Sequence, residues 1–514
     1  MTQEYLFQPA PSHRLAQLSK EELIQFVEAQ ERVIASQHRV IQKQQAINEE
    51  LKQKVLFVDD QFIVLKNKLY GKSSERECTQ VKDNDSSDGK TENKNKKTKV
   101  QLPSQRYPDA ELIERHVELQ DMPTCGCCGN EMHDTGMTQT TEFLTVIPKQ
   151  YIVVRQIQHK YGCAKCHGEL KTAPAPKRII PGSSMSDAMV IDVGLTKYCD
   201  LIPIERYSAM AGRGGLEDLP PQSLIESTHN LADFVGEAYK KLKKDILASK
   251  VLHADETPHR MLEGDTKSNW FLWGFSNKNT SYFDIRDTRS GDIASELLKK
   301  SKCEYLVSDV YSGYGKAVRE TNEVRTKEQQ PLVRNVYCNA HSRRKFKVAK
   351  ERFADEAKYF IERYKRIYEL EDCAMEYLAT KPQEAKACRL QMVPLFADMK
   401  CQALETLASY SSKSTMGKAL KYFLDNFYEL TLFIHDIELP IDNNPQERLL
   451  RNPVVGRKTW YGTHSKRGAF TAAILFSLVE SCKLNKVNPR HYFKRLVDDL
   501  HAGKPAYTPA EYKP

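Results

Sequence analysis

No apolar run in the 514 residues approaches the roughly 20 that a bilayer-spanning helix requires. The opening MTQEYLFQPAPSHR lacks the charged-then-apolar pattern of an export signal, so the expectation is a soluble, cytoplasmic protein. No internal repeat is visible, which sets repeat arrays aside. Thirteen cysteines are present, yet a cytoplasmic chain should hold no disulfide framework. Most stand alone, as Cys199, Cys303, Cys373 and Cys482 do, and read as small buried apolar groups. Lysine and arginine exceed aspartate and glutamate by only 77 to 68, compatible with a polyanionic partner without demanding one.

At this length three or more domains are expected. From Leu18 to Leu69 there is neither proline nor glycine. Phe26, Val33, Val40 and Ile47 recur at heptad spacing, followed by Leu51, Val55, Val58, Phe62, Leu65 and Leu69. This predicts a long helix over 15–71, either a coiled coil pairing protomers or a helix docked on its own chain. Residues 72–103 are poor in apolar side chains and read as a flexible linker. A small β module is expected over 104–181, with TEFLTVIPKQ and YIVVRQIQHKYG as strands between cysteine knuckles. Residues 182–248 read as three helices, the third starting at Pro220-Pro221 and running through KKLKKDI. That arrangement suits a helix-turn-helix-like DNA-binding domain or any small bundle.

After residue 249 the order is three strands, a helix, a strand, a helix and another strand, the order of an RNase H-like mixed α/β core spanning 249–480. Residues 342–436 read as an all-α insertion, and 481–514 as a C-terminal tail. Asp255 lies at the end of the first strand and Asp309 ends the fourth. With those strands adjacent, both carboxylates emerge at one place. Glu447, on a helix starting near Asn443 with Asp442 as its N-cap, is the candidate third acid. Hard oxygen ligands of this kind suit two Mg²⁺ or Mn²⁺ ions and phosphodiester chemistry. An aspartate near a strand end is also commonly just a turn or capping residue.

Cys125, Cys128, Cys163 and Cys166 form two Cys-x-x-Cys pairs, the ligand spacing of structural Zn²⁺. Cys127 is a spare thiol beside them, and His159 or His167 could fill a vacancy.

LYGKSSER, TAPAPKRIIPGS, LTKYCDLIPIERY, LHADET, SDVYSGY, AHSRRKF, DNNPQERLLRNPVVGRKTW and SLVESCKLN follow one another along nearly the whole chain. This ordered series resembles the IS66 family of bacterial insertion-sequence transposases. The resemblance implies an acidic-triad recombinase with Asp255, Asp309 and Glu447 as metal ligands, and a cysteine segment binding zinc. It makes His341, Arg343, Arg344, Lys345, Arg448, Arg451, Arg457 and Lys458 candidates for DNA phosphate contacts. It implies DNA ends and target DNA as partners, a homo-oligomer through the N-terminal helix, accessory proteins of the same element, and a place at the nucleoid. The chain departs from the family at Asn339, where an aromatic residue is usual, and in the extra Cys127. Two other readings compete with an active transposase. One is a catalytically inactive zinc-containing DNA-binding protein derived from a transposase. The other is a nuclease for branched or hybrid substrates on the same core.

Overall fold

The computed structural model describes residues 170–262 and 269–513 without a break, shorter stretches between 102 and 162, and Lys20 and Ile24. The helix expected over 15–71 and the linker expected over 72–103 lie outside the described residues, those two positions and residues 102–103 excepted. The chain divides into two compact units, one formed by 73–156 with 213–216 and the other by the remainder.

In the smaller unit, Pro103–Arg106 makes a single helical turn. The Ser104 amide and hydroxyl both donate to the Glu142 carboxylate, at 2.8 and 2.9 Å. Thr124 bridges Glu131 across a tight turn. Of the two strands expected here, only the last three residues of the second, Lys160–Gly162, form one: among the described residues, 140–159 contain no strand. Phe143, Val146, Ile152, Val153 and Val154 are 76%, 79%, 78%, 91% and 77% exposed, so the apolar pattern finds no face to bury. A strand is stabilised by its neighbours on the sheet, and among the described residues these find none.

In the larger unit, β1 (Lys160–Gly162) pairs antiparallel with β2 (Leu170–Thr172). Four helices follow: α1 (Asp187–Tyr198), α2 (Ile204–Arg213), α3 (Pro221–Phe234) and α4 (Gly236–Ala248). Ser186 caps α1 by accepting the Met189 N–H, and Pro221 opens α3 where no amide donor is needed. The single long helix expected from Pro221 breaks at Val235, a buried residue with φ −91°, and the helix-poor Gly236 starts the next element.

The central sheet then forms from β3 (Val251–Arg260), β4 (Asn269–Ser276), β5 (Ser281–Arg286), β6 (Tyr305–Ser308) and β7 (Arg334–Tyr337), in the order β5-β4-β3-β6-β7. The first three strands are antiparallel neighbours, while β6 and β7 run parallel to β3. Two crossover helices, α5 (Asp292–Lys299) and α6 (Ser312–Lys327), return the chain for those parallel pairings. The run from Asn339 to Ile434 is helical: α7 (Asn339–Lys350), α8 (Ala354–Leu378), α9 (Pro382–Leu390), α10 (Met392–Leu407), α11 (Thr415–Asp425), α12 (Phe427–Thr431) and a 3-10 turn, Leu432–Ile434. Then come α13 (Asn444–Trp460), α14 (Lys466–Leu484) and α15 (Pro489–His501). The stretch 481–514, expected as a C-terminal tail, completes α14 and folds again as α15, which buries Tyr492, Phe493, Leu496 and Val497.

Two large apolar cores result among the described residues, beside a small cluster of Ala374, Ala385 and Cys388. One joins β3, β4 and β5 to α1, α3, α4, α14 and α15 around Trp273, Phe275 and Phe283. The other joins Val307 and Val336 to the helices after Asn339, around Phe346, Phe360, Phe396 and Phe423. Along β5, an edge strand, Phe283 and Ser281 donate their amides to the Ser477 and Ser481 hydroxyls of α14, at 2.8 and 2.9 Å. That helix covers the β5 edge of the sheet. Among the described residues no helix is long and apolar enough to cross a membrane.

Candidate active site

The parallel register pairs Val251 with Tyr305, Leu252 with Leu306 and His253 with Val307. Continued two residues, it sets Asp255 opposite Asp309, where the chain leaves β6. Each aspartate uses Oδ1 locally: Asp255 accepts the Glu256 N–H at 2.9 Å and Asp309 accepts the Tyr311 N–H at 3.0 Å. Burial pushes the Asp255 carboxyl up to about 8, and the negative charges of Glu256, Asp309 and Glu447 add to the effect.

Glu447 is brought in by α13, which is tied to β3 at both ends. At its start, the Asn443 side chain donates from Nδ2 to the Ala254 carbonyl at 2.9 Å and meets His253 Nδ1 through Oδ1 at 2.8 Å. Past its end, Tyr461 takes a left-handed φ of 65°, and Thr463 then donates to the Arg260 carbonyl at 3.0 Å and accepts from the Leu262 N–H at 2.8 Å. Close approach in between depends on Gly274, the cross-strand partner of Asp255. A Cβ at that position would overlap the side-chain amide of Gln446, with Phe283 and Leu450 crowding in at 3.1 and 3.3 Å. Asn443, not Asp442, is the N-cap residue of this helix. Asp442 instead accepts the Asn444 amide at 3.1 Å and the Tyr368 hydroxyl at 3.2 Å, a local turn reinforced from α8.

Glu447 is partly buried; its Oε1 lies 3.7 Å from His341 Nδ1 and its Oε2 3.9 Å from an Arg344 guanidinium nitrogen. Oε1 is a buried atom with no hydrogen-bond partner. Asp309 and Glu447 thus lie near enough to Asp255 for their charges to act on it, and one Glu447 oxygen has no hydrogen-bond partner. That donor set fits divalent cations.

The basic candidates are distributed around this cluster. On α7, Arg343 lies over the Tyr368 ring at 5.4 Å and Lys345 over the Tyr422 ring at 4.5 Å. Burial and Lys418 lower the Lys345 pKa, while the Asp309 charge raises it. On α13, Arg448, Arg451 and Lys458 are exposed and Arg457 is half-buried. Arg457 helps hold His259 neutral, its charge adding to the burial that drives that imidazole down to about 4.

Glu256 belongs to the site and was not singled out from sequence. Its side chain is only 2% exposed, held by Arg289 at 2.7 Å and by the Tyr314 hydroxyl, which donates to Oε2. The available signal was its place in HADET next to Asp255, but strand alternation sends neighbours to opposite faces.

The cysteine segment is described in part. Cys125 donates its amide to Asn130 O at 2.7 Å and accepts the Gly129 N–H at 2.8 Å, with Gly129 at a φ of 74°. The amides of Cys127 and Cys128 hold the Cys125 thiol below its ordinary range, which favours the thiolate a metal requires. Cys163, Cys166 and His167 lie outside the described residues; the His159 carbonyl accepts the Ala173 N–H at 2.9 Å.

Taken together, these features define a mixed α/β protein with acidic residues where β6 ends beside β3; Asp255, expected at the end of its strand, instead lies within β3, which runs on to Arg260 because β4 stays paired with it that far. The chain belongs to the IS66 transposase family: residues 182–471 match the family described as "Transposase IS66 family". Residues 123–167 match the "zinc-finger binding domain of transposase IS66". Two relatives come from Sinorhizobium fredii. The uncharacterized protein y4hP is 27% identical over 419 residues, covering 75% of this chain and 72% of its own. The uncharacterized protein y4jD is 26% identical over 391 residues, covering 74% and 75%.

Proposed function

We propose that this chain binds the terminal inverted repeats of its insertion sequence and catalyses DNA strand cleavage and strand transfer at Asp255, Asp309 and Glu447. The observation that carries this reading is that burial raises the Asp255 pKa and that the charges of Asp309, just past β6, and of Glu447 on α13 act on the same carboxyl. Such a cluster is electrostatically unfavourable by itself and becomes favourable around cations. Asp255 and Asp309 would hold one ion between them, and Glu447 would share the second. Two bound Mg²⁺ or Mn²⁺ ions supply charge neutralisation at the attacking and leaving oxygens of an in-line displacement.

The remaining residues orient and steady. Arg289 and Tyr314 keep Glu256 out of the ligand set by occupying its oxygens. His341, Arg343, Arg344 and Lys345 on α7, and Arg448, Arg451, Arg457 and Lys458 on α13, supply phosphate contacts beside the acids. Water is the nucleophile for cleavage and a DNA 3′-hydroxyl for joining. The domain roles proposed are protomer pairing through 15–71, end recognition by the zinc module over 104–181 and the helices over 182–248, and chemistry in 249–480 with the helical insertion 342–436. Structural Zn²⁺ would be held by Cys125, Cys128, Cys163 and Cys166.

The test is joining of labelled end DNA in the presence of Mg²⁺. Wild-type protein should join and Asp309→Ala should lose at least ~10³-fold in rate while still shifting end DNA on a gel. Equal joining by both proteins, or none by either, would remove the catalytic assignment.

A further inference from the structure

Cys338 is the N-cap residue of α7, and His341 stands three residues later in its first turn, so both side chains lie at the same end of the helix. Glu447 reaches that end from the first turn of α13. The Cys338 sulfur, a ring nitrogen of His341 and a carboxylate oxygen of Glu447 all lie within 4.8 Å of one another. His341 Nδ1 and Glu447 Oε1 are 3.7 Å apart, too far for a hydrogen bond, and both are buried atoms without a hydrogen-bond partner. A tetrahedral cation with bonds of about 2.0–2.2 Å holds its nitrogen and oxygen ligands roughly 3.3–3.5 Å apart. Cys338 Sγ accepts the Asn443 amide at 3.2 Å, the kind of outer hydrogen bond that steadies a metal-bound thiolate.

We propose that Cys338, His341 and Glu447 form a binding site for a transition cation of the Zn²⁺ type, distinct in chemistry from the hard-oxygen pair Asp255 and Asp309. One sulfur, one imidazole nitrogen and one carboxylate oxygen select Zn²⁺ or Co²⁺ over Mg²⁺ and leave a fourth position open. Glu447 is common to this set and to the triad. Given the catalytic reading above, a cation in the Cys338 site draws Glu447 away from the hard-metal pair, so Zn²⁺ inhibits Mg²⁺-dependent joining.

Co²⁺ is the probe, added to the full chain after its cysteine segment has been loaded with zinc. Tetrahedral cobalt absorption with a near-ultraviolet thiolate band is expected, and excess Mg²⁺ should not displace it. His341→Ala and Cys338→Ala should each weaken cobalt binding by about tenfold or more. His341 is partly exposed, so its variant decides the matter should the Cys338 variant lose its helical circular dichroism. Absence of the bands, or bands unchanged in His341→Ala, overturns the site, because they then belong to the cysteine segment. In a second arm, Zn²⁺ should inhibit wild-type joining at lower concentration than Cys338→Ala joining, each normalised to its own zinc-free rate. Equal inhibition overturns the link to Glu447. Loss of all Mg²⁺-dependent joining alongside variant-sensitive cobalt bands counts against the transposition reading and leaves the metal site standing.

Discussion

Burial and neighbouring carboxylates push Asp255 up to about 8, against an ordinary aspartate near 3.9. The native chain therefore keeps a proton there that the unfolded chain releases. Stability from that proton is fully present below the unfolded pKa and is lost as pH rises from about 4 through 8. Asp255→Asn abolishes the titration, so the variant should gain on wild type by a few kcal/mol over that interval, in cation-free buffer. Millimolar Mg²⁺ should shrink the difference by stabilising ionised Asp255. Thermal melts of both proteins across that range give the answer, and parallel curves would mean that Asp255 is not held protonated in the folded chain. Asn443 makes the second case at this scale. Its side chain bonds to Ala254 O and His253 Nδ1, so Asn443→Ala should cost about 1–3 kcal/mol and raise the Mg²⁺ concentration needed for half-maximal joining. A loss of stability with an unchanged metal requirement would make Asn443 structural only. The adjacency of the strands that carry and precede Asp255 and Asp309 was legible from strand order, and the helix of Glu447 from its start near Asn443. Asn443 and Glu256 were not, since their roles depend on partners such as Ala254, 189 residues from Asn443, and on Arg289 and Tyr314 from other elements.

Helices and strands were legible where their own periodicity met a surface to bury. The five sheet strands and α14 announce themselves by apolar runs of the right length. The run 140–159 shows the limit: its β-branched and aromatic residues predict strands, but a strand needs a partner and these side chains remain exposed. The break at Val235 is equally invisible, because α3 and α4 share one amphipathic pattern. Placement of α13 was also hidden, since it rests on a hydrogen atom where other residues have a side chain. Gly274→Ala would force Gln446 aside and press on Phe283 and Leu450. The expected cost is about 1–3 kcal/mol, with joining activity falling further than stability because Glu447 moves with the helix. Urea midpoints alongside joining rates separate the two effects; a proportionate fall in both would show that α13 adjusts without displacing its acid.

At the scale of the molecule, a formal charge of +9 is too small to identify a DNA-binding protein by composition. What matters is where the cations stand. Arg451 and Lys458 are exposed on the helix that carries Glu447, whereas Arg343 and Lys345 are engaged with aromatic rings. Each phosphate contact made by an exposed cation releases counterions on binding, contributing about 0.9 to the slope of log affinity against log salt on duplex DNA. Arg451→Ala with Lys458→Ala should therefore lower that slope by nearly 2, and weaken end DNA and unrelated duplex by similar factors, because phosphate contacts carry no sequence information. Substitutions in the helices over 182–248 should instead weaken end DNA selectively. Titrations between 50 and 200 mM salt on both duplexes distinguish the outcomes. A slope unchanged by the double substitution would turn that face of α13 away from DNA, and the approach of the scissile phosphate would then have to run along α7, past Arg344.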